Sequence, residues 1–269
     1  MIARVFAAAL LVLALTQTQA HAGRNCEARA PDALAVQRGL ELAERTARAL
    51  DASGADVVVI ARAGQDLSKY RLRWSHLGLA YRDGSAWREG GGGPAVWRVV
   101  HKLNQCGSAL ADIHRQGLGE FFLDDPHEYI AAIAVLTPDV QAKLKPLLVD
   151  NQRVAQLHTQ AYNMLAYPWA QQYQQSNQWA IETLALSQDS QASTRERAQA
   201  WLRLKGYQPT VLQLSPLTRL GARMTTANIA FDDHPNDERY AGRIQTVTVD
   251  SVFDWLQRAG LAGPVQVLR

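Results

Sequence analysis

Ser75 and His76 open the apolar run "RWSHLGLAY", residues 73–81, and a second histidine, His101, closes the run "AVWRVVHK". An imidazole at the mouth of a strand either satisfies a buried hydrogen bond or acts as a general base, taking a proton from a nucleophile. Two side chains could supply that nucleophile. Ser176 begins "SNQWAIETLA", and Cys106 lies in "NQCGSALADI", a few residues after His101. A hydroxyl or thiol at the start of a helix is helped by the partial positive charge there, and an adjacent imidazole can take its proton. The competing reading of Ser176 is a plain helix cap. For Cys106 it is a disulfide, because the chain has only one other cysteine, Cys26.

The rest of the chain sets the context for these residues. Residues 1–22, "MIARVFAAALLVLALTQTQAHA", carry one basic residue, an uncharged apolar run and a terminal Ala-His-Ala. This is the layout of a secretory leader cleaved near Ala22, and the run from Val5 to Leu15 is too short to span a bilayer. A periplasmic or secreted protein with no transmembrane segment in its mature form is therefore expected, as one domain over residues 23–269. In an oxidising compartment a Cys26–Cys106 disulfide is the simplest pairing, and closing that loop contributes about 4 kcal/mol in the chain-entropy account. Loss of Arg4 with the leader takes the net charge from +3 to +2. That is too small to imply nucleic acid or an acidic membrane as partner.

The elements alternate without strict β-α order. A helix is expected over residues 31–50, with Val36, Leu40, Ala43, Ala47 and Leu50 at steps of three and four. Buried strands follow in "DVVVIARA", at 76–82, in "AVWRVVHKL" and in "EYIAAIAVL". In the third of these, alternation puts Trp97, Val99 and His101 on one face and Arg98, Val100 and Lys102 on the other. Residues 106–122 read as irregular or weakly helical. Helices follow from Pro138 to about 149, over 177–187, from a Ser193 cap to Gly206, from Ser215, and from Asp250 to Gly260. Further strands are expected near 226–231 and 244–249. The mixture favours an α+β fold. Gly90 to Gly93 are followed by no Lys-Ser/Thr and open no helix, so they read as a loop and not a phosphate cradle.

"ADVVVIARAG" through "RWSHLGLAYRDG" resembles the permuted branch of the NlpC-type, papain-like hydrolases, where a hydrophobic strand leads into "SHxGL". The resemblance implies a papain-like antiparallel sheet with packed helices and His76 as the general base. His101, on the next strand, would orient it, and a cysteine would stand at a helix start. That start corresponds to Ser176-Asn177-Gln178-Trp179, and it lacks the cysteine. More of the chain, including "VVHKLNQCG", "GLGEFFLDDP", "YQQSNQWAIETLA", "ANIAFDDHP" and "TVDSVFDWL", is similar to a bacterial family known as domain of unknown function 2145, which implies no activity.

These residues support three expectations. In the first, a papain-like cleft without its cysteine binds a peptide-like or acyl ligand of the envelope. Ser75, Asn163, Tyr167, Trp169, Tyr173, Asn177, Gln178 and Trp179 are then candidate ligand contacts, beside His76, His101 and Ser176. In the second, an amide or ester hydrolase uses Cys106 or Ser176 with His76. In the third, the protein is a non-catalytic scaffold. Two acidic clusters, Asp124 to Glu128 and Asp232 to Glu238, read as turns and not as metal ligands. No cofactor is expected.

Overall fold

The computed structural model describes residues 32–84, 95–123 and 126–269. The expected leader over residues 1–22, Cys26, the glycine run at 90–93, Asp124 and Asp125 lie outside those residues.

Helix α1 (Ala33–Ala52) precedes strand β1 (Val57–Ala63). A hairpin-like succession follows: β2 (His76–Asp83), β3 (Val96–Asn104) and β4 (Ala111–Gly117). The short α2 (Leu118–Phe122) leads to β5 (Glu128–Leu136). Then come α3 (Pro138–Val149), α4 (Asn151–Ala155), α5 (Ser176–Gln188) and α6 (Arg195–Leu204). The chain closes with β6 (Thr210–Gln213), α7 (Pro216–Thr225), α8 (Asn236–Tyr240), β7 (Arg243–Thr246), α9 (Val249–Arg258) and β8 (Ala262–Leu268).

Six strands form one antiparallel sheet in the order β4-β3-β2-β1-β5-β8, and β6 pairs with β7 in a separate ribbon. Every residue of β1 is buried, because helices cover both faces of the sheet. That is why "VVVIA" is continuously apolar and does not alternate. On one face Val58, Ile60, Val99 and Ile133 pack with Leu42 and Leu50 of α1 and Phe121 of α2. On the other, Val59, Leu77, Leu79 and Ala132 pack with Leu144 of α3, Trp179 and Leu184 of α5 and Trp255 of α9.

Three expectations change. Residues 106–122 hold a strand, β4, whose sequence "ADIHRQG" is mostly polar because it lies at the sheet edge and is only half-buried. Residues 226–231 form no strand, since no neighbouring strand offers them a ladder. The edge strand β8, which contains Pro264, was not expected at all. A smaller shift is at α6, where Thr194 and not Ser193 caps the helix, its hydroxyl accepting from the Arg197 N–H.

Candidate functional site

His76 begins β2, paired with Arg62 of β1 in the strand register. Gly78, two residues on and on the same face, leaves room for β3: a Cβ there would stand 2.5 Å from Val99 Cγ1 and 3.4 Å from His101 Cβ. The two strands therefore approach closely enough for the imidazoles to meet. His76 Nε2 lies 2.8 Å from His101 Nδ1, and His101 Nε2 lies 2.8 Å from Gln116 Oε1 on β4.

The amide oxygen of Gln116 only accepts, so His101 Nε2 carries a hydrogen and, in the neutral ring, Nδ1 accepts. His76 Nε2 must then donate, which leaves the lone pair on His76 Nδ1. Both rings are held neutral. Burial, followed by the nearby Arg62 guanidinium, pushes His101 down to about 3 despite its bond to Gln116. The same two causes, and then His101 itself, hold His76 well below the usual imidazole range. Phe121 of α2 packs against both rings at 6.0 and 5.3 Å, and the Arg62 guanidinium lies over it at 5.0 Å. Ser75 shapes this corner without facing a reactive group: its hydroxyl accepts from Gly64 N–H at 2.8 Å beside the irregularity that ends β1.

The start of α5, which packs on the other face of the sheet, meets β2 at the residue after His76. Asn177 Oδ1 accepts the Leu77 N–H at 3.2 Å, and Asn177 Nδ2 donates to the Val247 carbonyl at 3.1 Å. The residue after His76 is thus tied to the first turn of the helix. Replacing Asn177 with Ala leaves a buried N–H and a buried carbonyl unpaired, and is expected to lower stability by about 2–3 kcal/mol, read as a fall in the urea midpoint. Ser176, the first residue of α5, is 6 % exposed. It lies beside the Tyr162 phenol, whose pKa burial raises and the neighbouring Ser176 hydroxyl partly lowers.

One cavity of about 580 Å³ joins these walls, lined by His76, Ser176, Asn177, Tyr162, Gln116 and Cys106 among others. Its far side is the irregular segment 156–175. A buried ionic cluster holds that segment down. Lys102 Nζ donates to the Thr159 carbonyl at 2.5 Å and to Gln174 Oε1 at 2.9 Å. Gln174 Nε2 passes the connection to Glu182 Oε2 at 2.6 Å. Glu182 in turn accepts from Arg195 Nε at 2.9 Å and from Gln199 Nε2 at 2.8 Å. Burial, with Arg195 beside it, lowers Lys102 to about 7 even though Glu182 pulls the other way.

The expected site residues therefore separate. His76, His101, Ser75, Ser176 and Asn177 gather at or just behind the cavity, and Cys106 lines it. Cys106 carries no free thiol, so a thiolate there would require a reduced protein. The other candidate contacts do not line the cavity. Asn163 fastens its own loop through Leu165 N–H and the Ala230 backbone. Tyr167 N–H donates to Asp233, and Trp169 lies beside Tyr207 under the Arg203 guanidinium. The Tyr173 hydroxyl reaches Asp232 at 3.3 Å. Gln178 accepts from Gln175 N–H and donates to the Pro168 carbonyl, while Trp179 is fully buried in the core. The second acidic cluster thus pins loop 156–175, and among the described residues no group of three or more His, Cys, Asp or Glu could hold a metal. Sequence reasoning missed Gln116, Arg62 and Tyr162. Of these, Tyr162 directly precedes Asn163, the first of the candidate contacts Asn163, Tyr167, Trp169 and Tyr173.

Among the described residues no helix is long and apolar enough to cross a membrane. No curated protein and no solved structure matches the chain. A family profile does, over residues 49–256, a span that includes both histidines, the start of α5 and the whole of loop 156–175. The chain therefore belongs to the domain of unknown function 2145 family, described as uncharacterized proteins conserved in bacteria.

Proposed function

We propose that this is an exported envelope protein with a papain-like cleft that binds a peptide-like or acyl ligand without cutting it. The observation that carries this reading is the cavity shared by His76 and the first turn of α5, with Asn177 rather than a thiol at the helix start. Three further features favour binding over hydrolysis. Both polar atoms of Asn177 are already bonded to backbone groups. Ser176 is itself buried, only 6 % exposed, beside the Tyr162 phenol. His76 is held so far below neutrality that it would keep a transferred proton poorly, whereas an effective base has a pKa near the working pH.

The hydrolase alternative is favoured by one observation, that Ser176 lines the same cavity as His76. A fluorophosphonate probe separates the two readings. The binding reading expects no labelling of the protein at pH 7 to 8. Labelling that disappears in Ser176→Ala would establish a serine nucleophile and end the non-catalytic proposal. The export half of the proposal rests on the composition of residues 1–22, and intact-mass measurement of the native protein should give a chain beginning at Gly23.

A further inference from the structure

Among the described residues, six carboxamide side chains line the cavity: Gln65, Asn104, Gln116, Gln175, Asn177 and Asn228. Two of them hold a buried oxygen with no partner, Gln175 Oε1 and Asn228 Oδ1, in residues only 9 % and 6 % exposed. The orientation of Asn228 is dictated by its neighbour. Asn104 Nδ2 donates to the carbonyls of Ser108 and Leu110, both at 2.8 Å, so Asn104 has only its oxygen left to offer. Asn228 must present its nitrogen to that oxygen, and does so at 2.8 Å. Its own Oδ1 is therefore the orphan, and only a donor can satisfy it. The first N–H groups of α5, a helix of 13 residues that begins at this cavity, have no intrahelical partner.

Resting on the binding reading above, we infer that the cavity recognises a secondary amide, whose carbonyl meets the first N–H groups of α5 and whose N–H meets Asn228, with Gln175 as the second acceptor. A trans amide suits these walls because its N–H and C=O point to opposite edges of one plane. A fatty acyl chain does not, since it would leave both orphan oxygens desolvated and unpaired. The described lining holds one cationic side chain, Arg62, and one carboxylate, Glu120, which agrees with a ligand of no net charge. The amide could come from a peptide backbone or from an N-acetylated sugar.

The test uses the full mature chain and NMR titration with four probes. N-acetylalanine methylamide is compared with methyl 2-acetoxypropanoate, the same shape with each N–H replaced by oxygen, and with N-acetylglucosamine and octanoate. The diamide is expected to bind at least tenfold more tightly than the diester. Asn228→Leu and Gln175→Leu should each weaken it about five- to tenfold; Gln175→Leu should leave the thermal midpoint unchanged or higher, because it removes an unpaired buried oxygen, whereas Asn228→Leu also strips Asn104 Oδ1 of its donor and should lower the midpoint. A preference for the sugar over the diamide supports the inference and names its source. Equal binding of diester and diamide, or preference for octanoate, overturns it and leaves the cleft reading standing. Binding of none of the four overturns both.

Discussion

Glu182→Leu is expected to lower the unfolding free energy by about 3–5 kcal/mol, the usual cost of removing one partner from a buried ion pair. Glu182 is fully buried and accepts four hydrogen bonds, two from Arg195 and one each from Gln174 and Gln199. Without it Arg195 keeps its guanidinium in a site 8 % exposed with no counter-charge, close to Lys102, which is wholly buried. The like charges then face each other across a weakly screening interior. Against a typical domain stability of about 5–15 kcal/mol this is a large fraction. Urea unfolding of Glu182→Leu should show it, and the triple variant Lys102→Met, Glu182→Leu, Arg195→Met should recover most of the loss by removing the stranded charges together. A fall of less than about 1 kcal/mol for the single variant would mean that water reaches the cluster. Because the same cluster anchors Thr159 and Gln174 at the two ends of the loop that walls the cavity, ligand binding should fall with it.

Acid should weaken the fold well before its carboxylates titrate. In the unfolded chain His101 takes up a proton near the ordinary value of 6.5, whereas in the folded chain it does so only at about 3. Between those values the unfolded state binds the extra proton, so stability is fully present above pH 6.5 and is lost as pH falls toward 3. At about pH 4.5 the loss from His101 is about 2–3 kcal/mol, and His76 acts in the same direction. Urea midpoints measured between pH 7.5 and 4.5 test this. In His101→Gln the decline should be shallower, because the variant has nothing to protonate at that position. A pH-independent midpoint across this range would show that the imidazole pair is open to water.

Much of this arrangement was legible in the residues. Largely continuous apolar runs announced β1 and β5, and the period-2 alternation of β3 placed His101 on one face and Lys102 on the other, where each is found. The string Ser-His-Leu-Gly-Leu pointed to a histidine at a strand mouth. Its glycine is explained by the close passage of Val99 and His101. The cavity wall was much harder to read. Gln116 lies on an edge strand with no apolar alternation, and Asn228 lies in a segment whose β-like composition finds no partner strand. Asn163, Tyr167, Trp169 and Tyr173 looked like a ligand groove because aromatic and amide residues clustered there. Their hydrogen bonds and ring contacts instead hold the loop to Ala230, Asp233, Tyr207 and Asp232.

What the amino-acid order alone determined is the local part: element types set by periodicity, caps and turns, and the face to which each strand residue points. Only the tertiary structure decided which polar groups meet, because hydrogen bonds such as Leu77 to Asn177 or Lys102 to Gln174 join residues far apart in the chain. No local pattern encodes such a pairing. It follows from the whole sheet and its helices closing at once, and the orphan oxygens of the cavity are the acceptors that this closure leaves without a donor.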